Sequence, residues 1–261
     1  SGMFEGMLRS RSFSERPPEF MSTHPLDENR VADSRNRANS YPAVSHVQDP
    51  EFLLMRERVR IHYTRNPDAE IEQRQRALSQ LNGAEADAAT YGIALAQMKS
   101  GQHVAATESL SPLLLREPSR ISYVMLQAEI AIAAEDYPRA IEGLEAALRL
   151  NPDNHPLTMT YAAALTKSRR YADAAAALEM HSVNYPDDMQ LWYDLAEVAG
   201  LAGNINLVHL ARAEYFITVG DFARAKDHLN FAIQQEKDRL TLARLRQRLE
   251  YIRDIENRFY R

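Results

Sequence analysis

Pro118, Pro152 and Pro186 recur at one constant step of about 34 residues, and other positions keep the same step. Ala106, Ala140 and Ala174 share the register, as do Leu110, Leu144 and Leu178. Tyr137 and Tyr171 follow it too, with His103 at the corresponding place one step earlier. Physically, this pattern describes a pair of helices. Two antiparallel helices approach closely only where one offers a methyl-sized side chain. The bulky residue one turn later fills the groove beside it, and the proline ends the second helix. A unit of this kind cannot bury its apolar face alone, so copies must stack.

A helix–turn–helix unit with this period is the tetratricopeptide (TPR) signature. The predicted fold is therefore all-α, a TPR solenoid of antiparallel helix pairs following an irregular N-terminal segment. Helix starts agree with the register: Asp153-Asn154, Asp187-Asp188 and Asp221 offer side-chain oxygens to the free amides of a first turn. Trp192, Leu195 and Ala196 match the aromatic, leucine and small residue of a first TPR helix, which places the single Trp in the core. The period then breaks. Gly203-Asn204 and Gly220-Asp221 are equivalent turns only half a period apart, so one helix over about 205–219 closes one pair and opens the next. Ala211 and Ala213 are its small contact residues, and a charged helix over about 238–259 has the polar outer face of a terminal cap.

Residues 1–49 read differently from residues 50–261. Arg16-Pro17-Pro18, Thr23-His24-Pro25 and Tyr41-Pro42 interrupt any long helix, and between them only Asp27 to Asn39 suits one polar helix. From Pro50 an apolar stripe begins, with a helix ended by Asn66-Pro67 and a second over roughly 69–81.

Composition removes several function classes. A formal charge of −5, with both signs interspersed, disfavours a phosphate-seeking surface and hence nucleic acid as the main partner. The longest uncharged run, Val198 to Ala211, is too short for a transmembrane helix. Ser1-Gly2-Met3 lacks the features of a signal peptide and reads as an expression remnant. With no cysteine there are no disulfides or thiolate metal sites, a pattern that fits both cytoplasm and periplasm. No histidine is followed by glutamate, no Gly-x-Ser-x-Gly or Gly-x-Gly-x-x-Gly occurs, and no glycine precedes a lysine. The chain thus carries no complete catalytic apparatus. His103 and His181 sit at repeat-core positions, while His62, His209 and His228 lie on helices with no partners at metal spacing.

His24 stands apart. On spacing alone it is an exposed loop histidine. The string Pro18-Glu19-Phe20-Met21-Ser22-Thr23-His24-Pro25, with Arg30 after it, nevertheless resembles the segment that closes the catalytic domain of zinc metalloproteases bearing a His-Glu-x-x-His helix. Leading through a Tyr-Pro linker into helical repeats, the whole arrangement resembles the periplasmic β-barrel assembly-enhancing proteases. This resemblance implies that residues 1–49 are the tail of a peptidase domain and 50–261 its TPR domain. It implies that His24 approaches the zinc of a longer parent and holds it latent by filling the position needed by water, with Arg30 matching the arginine that follows. Zinc would be the parent's cofactor; this chain lacks the two-histidine helix and needs none. The implied partners are unfolded outer-membrane proteins or the β-barrel assembly machinery, in the periplasm, in a chaperone-like quality-control role. A non-enzymatic TPR scaffold or pilotin-like assembly protein is the alternative.

The register also predicts a binding face on the first helix of each pair. Its residues are Tyr91, Leu95 and Met98, then Met125, Glu129 and Ile132, then Met159, Ala163 and Lys167, then Tyr193 and Glu197. Methionine is flexible and polarisable and tyrosine adds area at low entropic cost, a lining suited to varied, partly folded polypeptides. A clamp for a C-terminal carboxylate needs lysine and asparagine where Tyr91, Leu95, Met125 and Glu129 stand.

Overall fold

The computed structural model describes residues 27–41 and 49–259. The chain divides into two units between Gln48 and Asp49. In the first, α1 (Asp27–Asn39) is the polar helix expected from its sequence, with an exposed Arg37–Asp33 ion pair at 3.0 Å. His24 lies outside the described residues, as does the side chain of Arg30 within α1.

The second unit contains twelve helices among the described residues, and no strand. They are α2 (Pro50–Tyr63), α3 (Pro67–Leu78), α4 (Gly83–Lys99), α5 (His103–Arg116), α6 (Ile121–Ala133) and α7 (Tyr137–Leu150). There follow α8 (His155–Lys167), α9 (Tyr171–Ser182), α10 (Met189–Leu201), α11 (Ile205–Thr218), α12 (Phe222–Gln235) and α13 (Arg239–Phe259). The fold is an all-α TPR-like solenoid of paired antiparallel helices. Pro118, Pro152 and Pro186 fall in the connections after second helices, as their spacing predicts. Asn154, Asp188 and Asp221 cap α8, α10 and α12 by accepting from Leu157 N, Leu191 N and Arg224 N. The helix expected over 69–81 starts at Pro67 instead, because the Asn66 side chain accepts from Ala69 N at 3.1 Å, and it stops at Leu78.

Small residues set the spacing of the pairs. Ala106, Ala140 and Ala174 are 0%, 1% and 0% exposed, and Leu110, Leu144 and Leu178 are equally buried beside them. The shared helix is present: α11 packs on both α10 and α12. Ala211 belongs to the apolar cluster that includes Leu191, Trp192 and Leu195, and Ala213 to the one with Leu229, Leu245 and Ile252. Two faces of one helix thus serve two cores. Trp192 is buried, and its indole N–H donates to Pro186 O at 2.7 Å.

The turn between first and second helix repeats with the register as well. Gly101, Glu135, Arg169 and Gly203 have φ of 76°, 60°, 64° and 74°, and Gly220 has 78° after the half step. Glycine accepts this left-handed geometry freely; a residue with a Cβ loses roughly 1–2 kcal/mol in it. Glu135 and Arg169 therefore carry strain that their sister turns avoid.

At the N-terminal end the close approach is made around charge. Arg74 of α3 donates through Nε to Glu57 Oε2 of α2 at 2.6 Å and through Nη1 to Glu70 Oε2 at 2.5 Å, with Arg74 and Glu57 both buried. Gly92 of α4 lies directly over this pair: a Cβ there would sit 2.6 Å from Arg74 Nε and 2.8 Å from Glu57 Oε2. A methyl group would displace two buried charges from each other, and a broken buried pair leaves an uncompensated charge. Gly92→Ala is therefore expected to lower stability by roughly 2–5 kcal/mol. A urea midpoint equal to that of the parent chain would show that the ion pair tolerates the methyl group.

Candidate functional site

First helices form one layer, with α2 packed on α4, α4 on α6 and α6 on α8. Four residues occupy one register position along this layer: Tyr91, Met125, Met159 and Tyr193, each one full repeat after the last. Their exposure rises along it. Tyr91 is 0% exposed, Met125 and Met159 are half-buried against the central core, and Tyr193 is 46% exposed.

Tyr91 and Leu95, expected on the binding face, are in fact core residues. The reason is α2, which packs across the face of α4 that carries them. Arg58 of α2 donates to Tyr91 Oη through Nη2 at 2.8 Å and Nε at 3.1 Å, and to Glu129 Oε1 and Oε2 at 2.8 and 3.0 Å. One guanidinium thereby ties α2, α4 and α6 together. Burial opposes the Arg58 charge, but the hydrogen bond and charge of Glu129, with Tyr91, outweigh it and push its pKa upward. The Tyr91 phenol is pushed up to about 12, mainly by burial and only partly offset by Arg58. Glu129 is therefore half-buried and committed to Arg58, so it is not a free acid on the wall.

The other expected residues are distributed unevenly. Met98 and Ile132 are half-buried against the core, while Ala163 is exposed. Glu197 is exposed and accepts from Arg212 Nη2 of α11 at 2.9 Å. Lys167 ends α8 and lines a cavity of about 560 Å³ at the edge of the layer. Tyr193 has a neighbour the register did not supply: the Tyr215 ring of α11, 6.1 Å away centroid to centroid. The break in period moves Tyr215 off the repeat step. The double role of α11 is legible in the sequence, but the register carried from Tyr91 to Tyr193 does not extend to Tyr215.

Histidine pairs were also hidden. His155 Nδ1 lies 3.0 Å from His181 Nε2, and His155 Nε2 lies 3.1 Å from Asp188 Oδ2, joining α8, α9 and the cap of α10. His209 Nδ1 lies 3.0 Å from His228 Nδ1 across α11 and α12, between the rings of Phe231 and Phe216. His209 and His228, expected to have no partners at metal spacing, thus meet each other across two helices. No group of three or more His, Asp or Glu among the described residues is placed to hold a metal. Among the same residues no helix is long and apolar enough to cross a membrane.

Residues 131–199 match the tetratricopeptide repeat family model. The chain is 31% identical over 258 residues to the β-barrel assembly-enhancing protease of Escherichia coli (strain K12), covering 98% of this chain and 52% of that one. It is 28% identical over 248 residues to the protein of the same name from Yersinia pestis, covering 95% and 51%. This is a TPR-repeat domain homologous to β-barrel assembly-enhancing proteases. It spans about half the length of the curated relatives it matches. Among solved structures, a tetratricopeptide repeat protein from Parabacteroides merdae overlays with a TM-score of 0.47 at 13% identity, covering 87% of this chain and 91% of that one.

The paired histidines make stability depend on pH. His181, His209 and His228 have pKa values below the ordinary 6.5, first because burial disfavours the imidazolium, and for His181 and His228 also because the paired ring repels it. A folded pKa below the unfolded one means that the unfolded chain takes up protons first as pH falls. These rings therefore leave stability unaffected well above pH 6.5 and reduce it as pH drops through and below that value. Replacing His209 and His228 together by Phe should flatten the loss of Tm between pH 7 and pH 5. An unaltered slope would place the acid sensitivity elsewhere.

Proposed function

We propose that this TPR domain holds polypeptides for a β-barrel assembly-enhancing protease of the periplasm. The bound chains are unfolded outer-membrane protein segments or a subunit of the β-barrel assembly machinery. Two facts support the reading: the homology to those proteases over nearly the whole chain, and the row Met125, Met159 and Tyr193 on successive first helices. The row carries the argument. It presents flexible and aromatic surface while the charges beside it are already paired, Glu129 with Arg58 and Glu197 with Arg212. An apolar wall with neutralised neighbours suits segments of varied sequence, because adaptable side chains re-pack around each occupant. In this reading residues 1–49 are the tail of a peptidase part, and His24 and Arg30 keep the role implied by their resemblance, at the border of its zinc. Proteolysis belongs to the longer protein.

Tyr91 has no place in a test of the wall, since removing it would excavate the core. Met125→Ser with Met159→Ser and Tyr193→Ala trims only part-exposed surface. The triple variant is expected to keep its helical circular dichroism spectrum and to bind a labelled, urea-unfolded outer-membrane protein segment about tenfold more weakly, as loss of central apolar anchors does. Unchanged affinity in the folded variant would move the site off this face.

A further inference from the structure

The edge of the solenoid where first helices turn into second ones carries its own oddity. At Gly101, Gly203 and Gly220 the left-handed turn is made by glycine, but at Glu135 and Arg169 it is made by residues that fit it poorly. The Arg169 side chain is exposed and forms no ion pair or hydrogen bond with any described residue, so packing does not explain its presence. It projects beside the cavity of about 560 Å³ between α7 and the α8–α9 turn. Tyr137, Pro138 and Ile141 supply an apolar floor. Lys167, also exposed and without a partner among the described residues, stands on the rim with Arg169, whereas Arg170 is engaged by Asp173 at 2.7 Å. Glu142, unpaired among the described residues, and Glu145, which accepts from Tyr161 Oη at 2.9 Å, form the facing wall.

We infer that this cavity is a second binding site, for an acidic segment of polypeptide in which a carboxylate side chain lies next to an apolar one. The carboxylate meets Lys167 and Arg169, the apolar side chain lies on Tyr137 and Ile141, and backbone N–H groups face the acids of α7. Inorganic anions fit less well, because the floor is apolar and the volume is that of a site for a larger ligand. Nucleic acid is disfavoured because the two cations of the lining that no described residue engages cannot follow a run of phosphates, and because the chain's net charge is −5. Glu135 takes the same φ one repeat earlier, so the strain is shared by the two turns, and what singles out Arg169 is the cavity it lines together with Lys167. The site is independent of the wall formed by Met125, Met159 and Tyr193.

A short fluorescein-labelled peptide of alternating aspartate and phenylalanine, titrated with the full chain and followed by anisotropy, tests this. Binding should weaken when asparagine replaces aspartate in the peptide and when salt rises to about 0.5 M. Arg169→Gly should raise Tm, by relieving the turn, and yet weaken binding about tenfold, as loss of a charged contact does. Lys167→Gln should weaken binding with Tm unchanged. Glu135→Gly, at the equivalent turn one repeat earlier, should raise Tm and leave binding as it was. The inference is overturned if the aspartate peptide does not bind, if the asparagine peptide binds equally well, or if Arg169→Gly gains stability at no loss of affinity.

Discussion

A methyl-sized side chain at each helix crossing is the constraint on which the rest of this structure hangs. Ala106, Ala140 and Ala174 leave no solvent-accessible gap where their helices meet, and the leucine one turn later closes the groove. Because each pair leaves a second apolar face for the next pair, stability passes from neighbour to neighbour along the stack. That dependence explains why the half step at α11 is tolerated. Ala211 and Ala213 give one helix two close-contact faces, so each of the two cores beside it is closed although the period is broken. The ends depart from the rule in different ways. At the N-terminal end, Gly92 replaces the alanine logic with room for a buried ion pair. At the other end, Leu245, Leu249 and Ile252 of α13 cover the last core, while Arg248 reaches back to Glu214 at 2.8 Å.

The same periodicity shows how far the sequence could be read. It located the core alanines and leucines, the turns, the caps and the shared helix, because each depends on contacts within one pair or between adjacent pairs. It misplaced Tyr91 and Leu95 because register fixes the side of a helix a residue occupies and says nothing of whether another element covers that side. Met125 and Tyr91 share a register position; α2 makes one of them core. Arg58 was invisible for a related reason. Its partners, Tyr91 and Glu129, lie 33 and 71 residues away, on helices that meet only after stacking. His155 with His181, and His209 with His228, are separated by 26 and 19 residues, distances that match neither a helical turn nor the repeat.

Charge is distributed with the same division of labour. Ions near the wall of first helices are consumed in holding helices to one another, as Arg58 does with Glu129 and Arg212 with Glu197. Pairs of this kind contribute modestly to stability where exposed, yet they leave the apolar row without a competing field. At the turn edge the reverse holds, with Lys167 and Arg169 unengaged by any described residue beside an apolar floor. A wall with its charges paired discriminates little among partners, whereas unpaired cations select for acidic ones and reject basic ones.

Left-handed turns sharpen this contrast. A repeat fold needs one such turn per pair, and glycine makes it at least cost to the folded state. Where glycine is present, at Gly101, Gly203 and Gly220, backbone geometry alone accounts for the residue. Where a charged residue takes the same φ, backbone geometry argues against it, and its side chain must supply the reason. Glu135 and Arg169 occupy consecutive turns with opposite charge, so the edge presents an acidic corner followed by a basic one. In a stack whose units are otherwise interchangeable, such departures distinguish one repeat from the next.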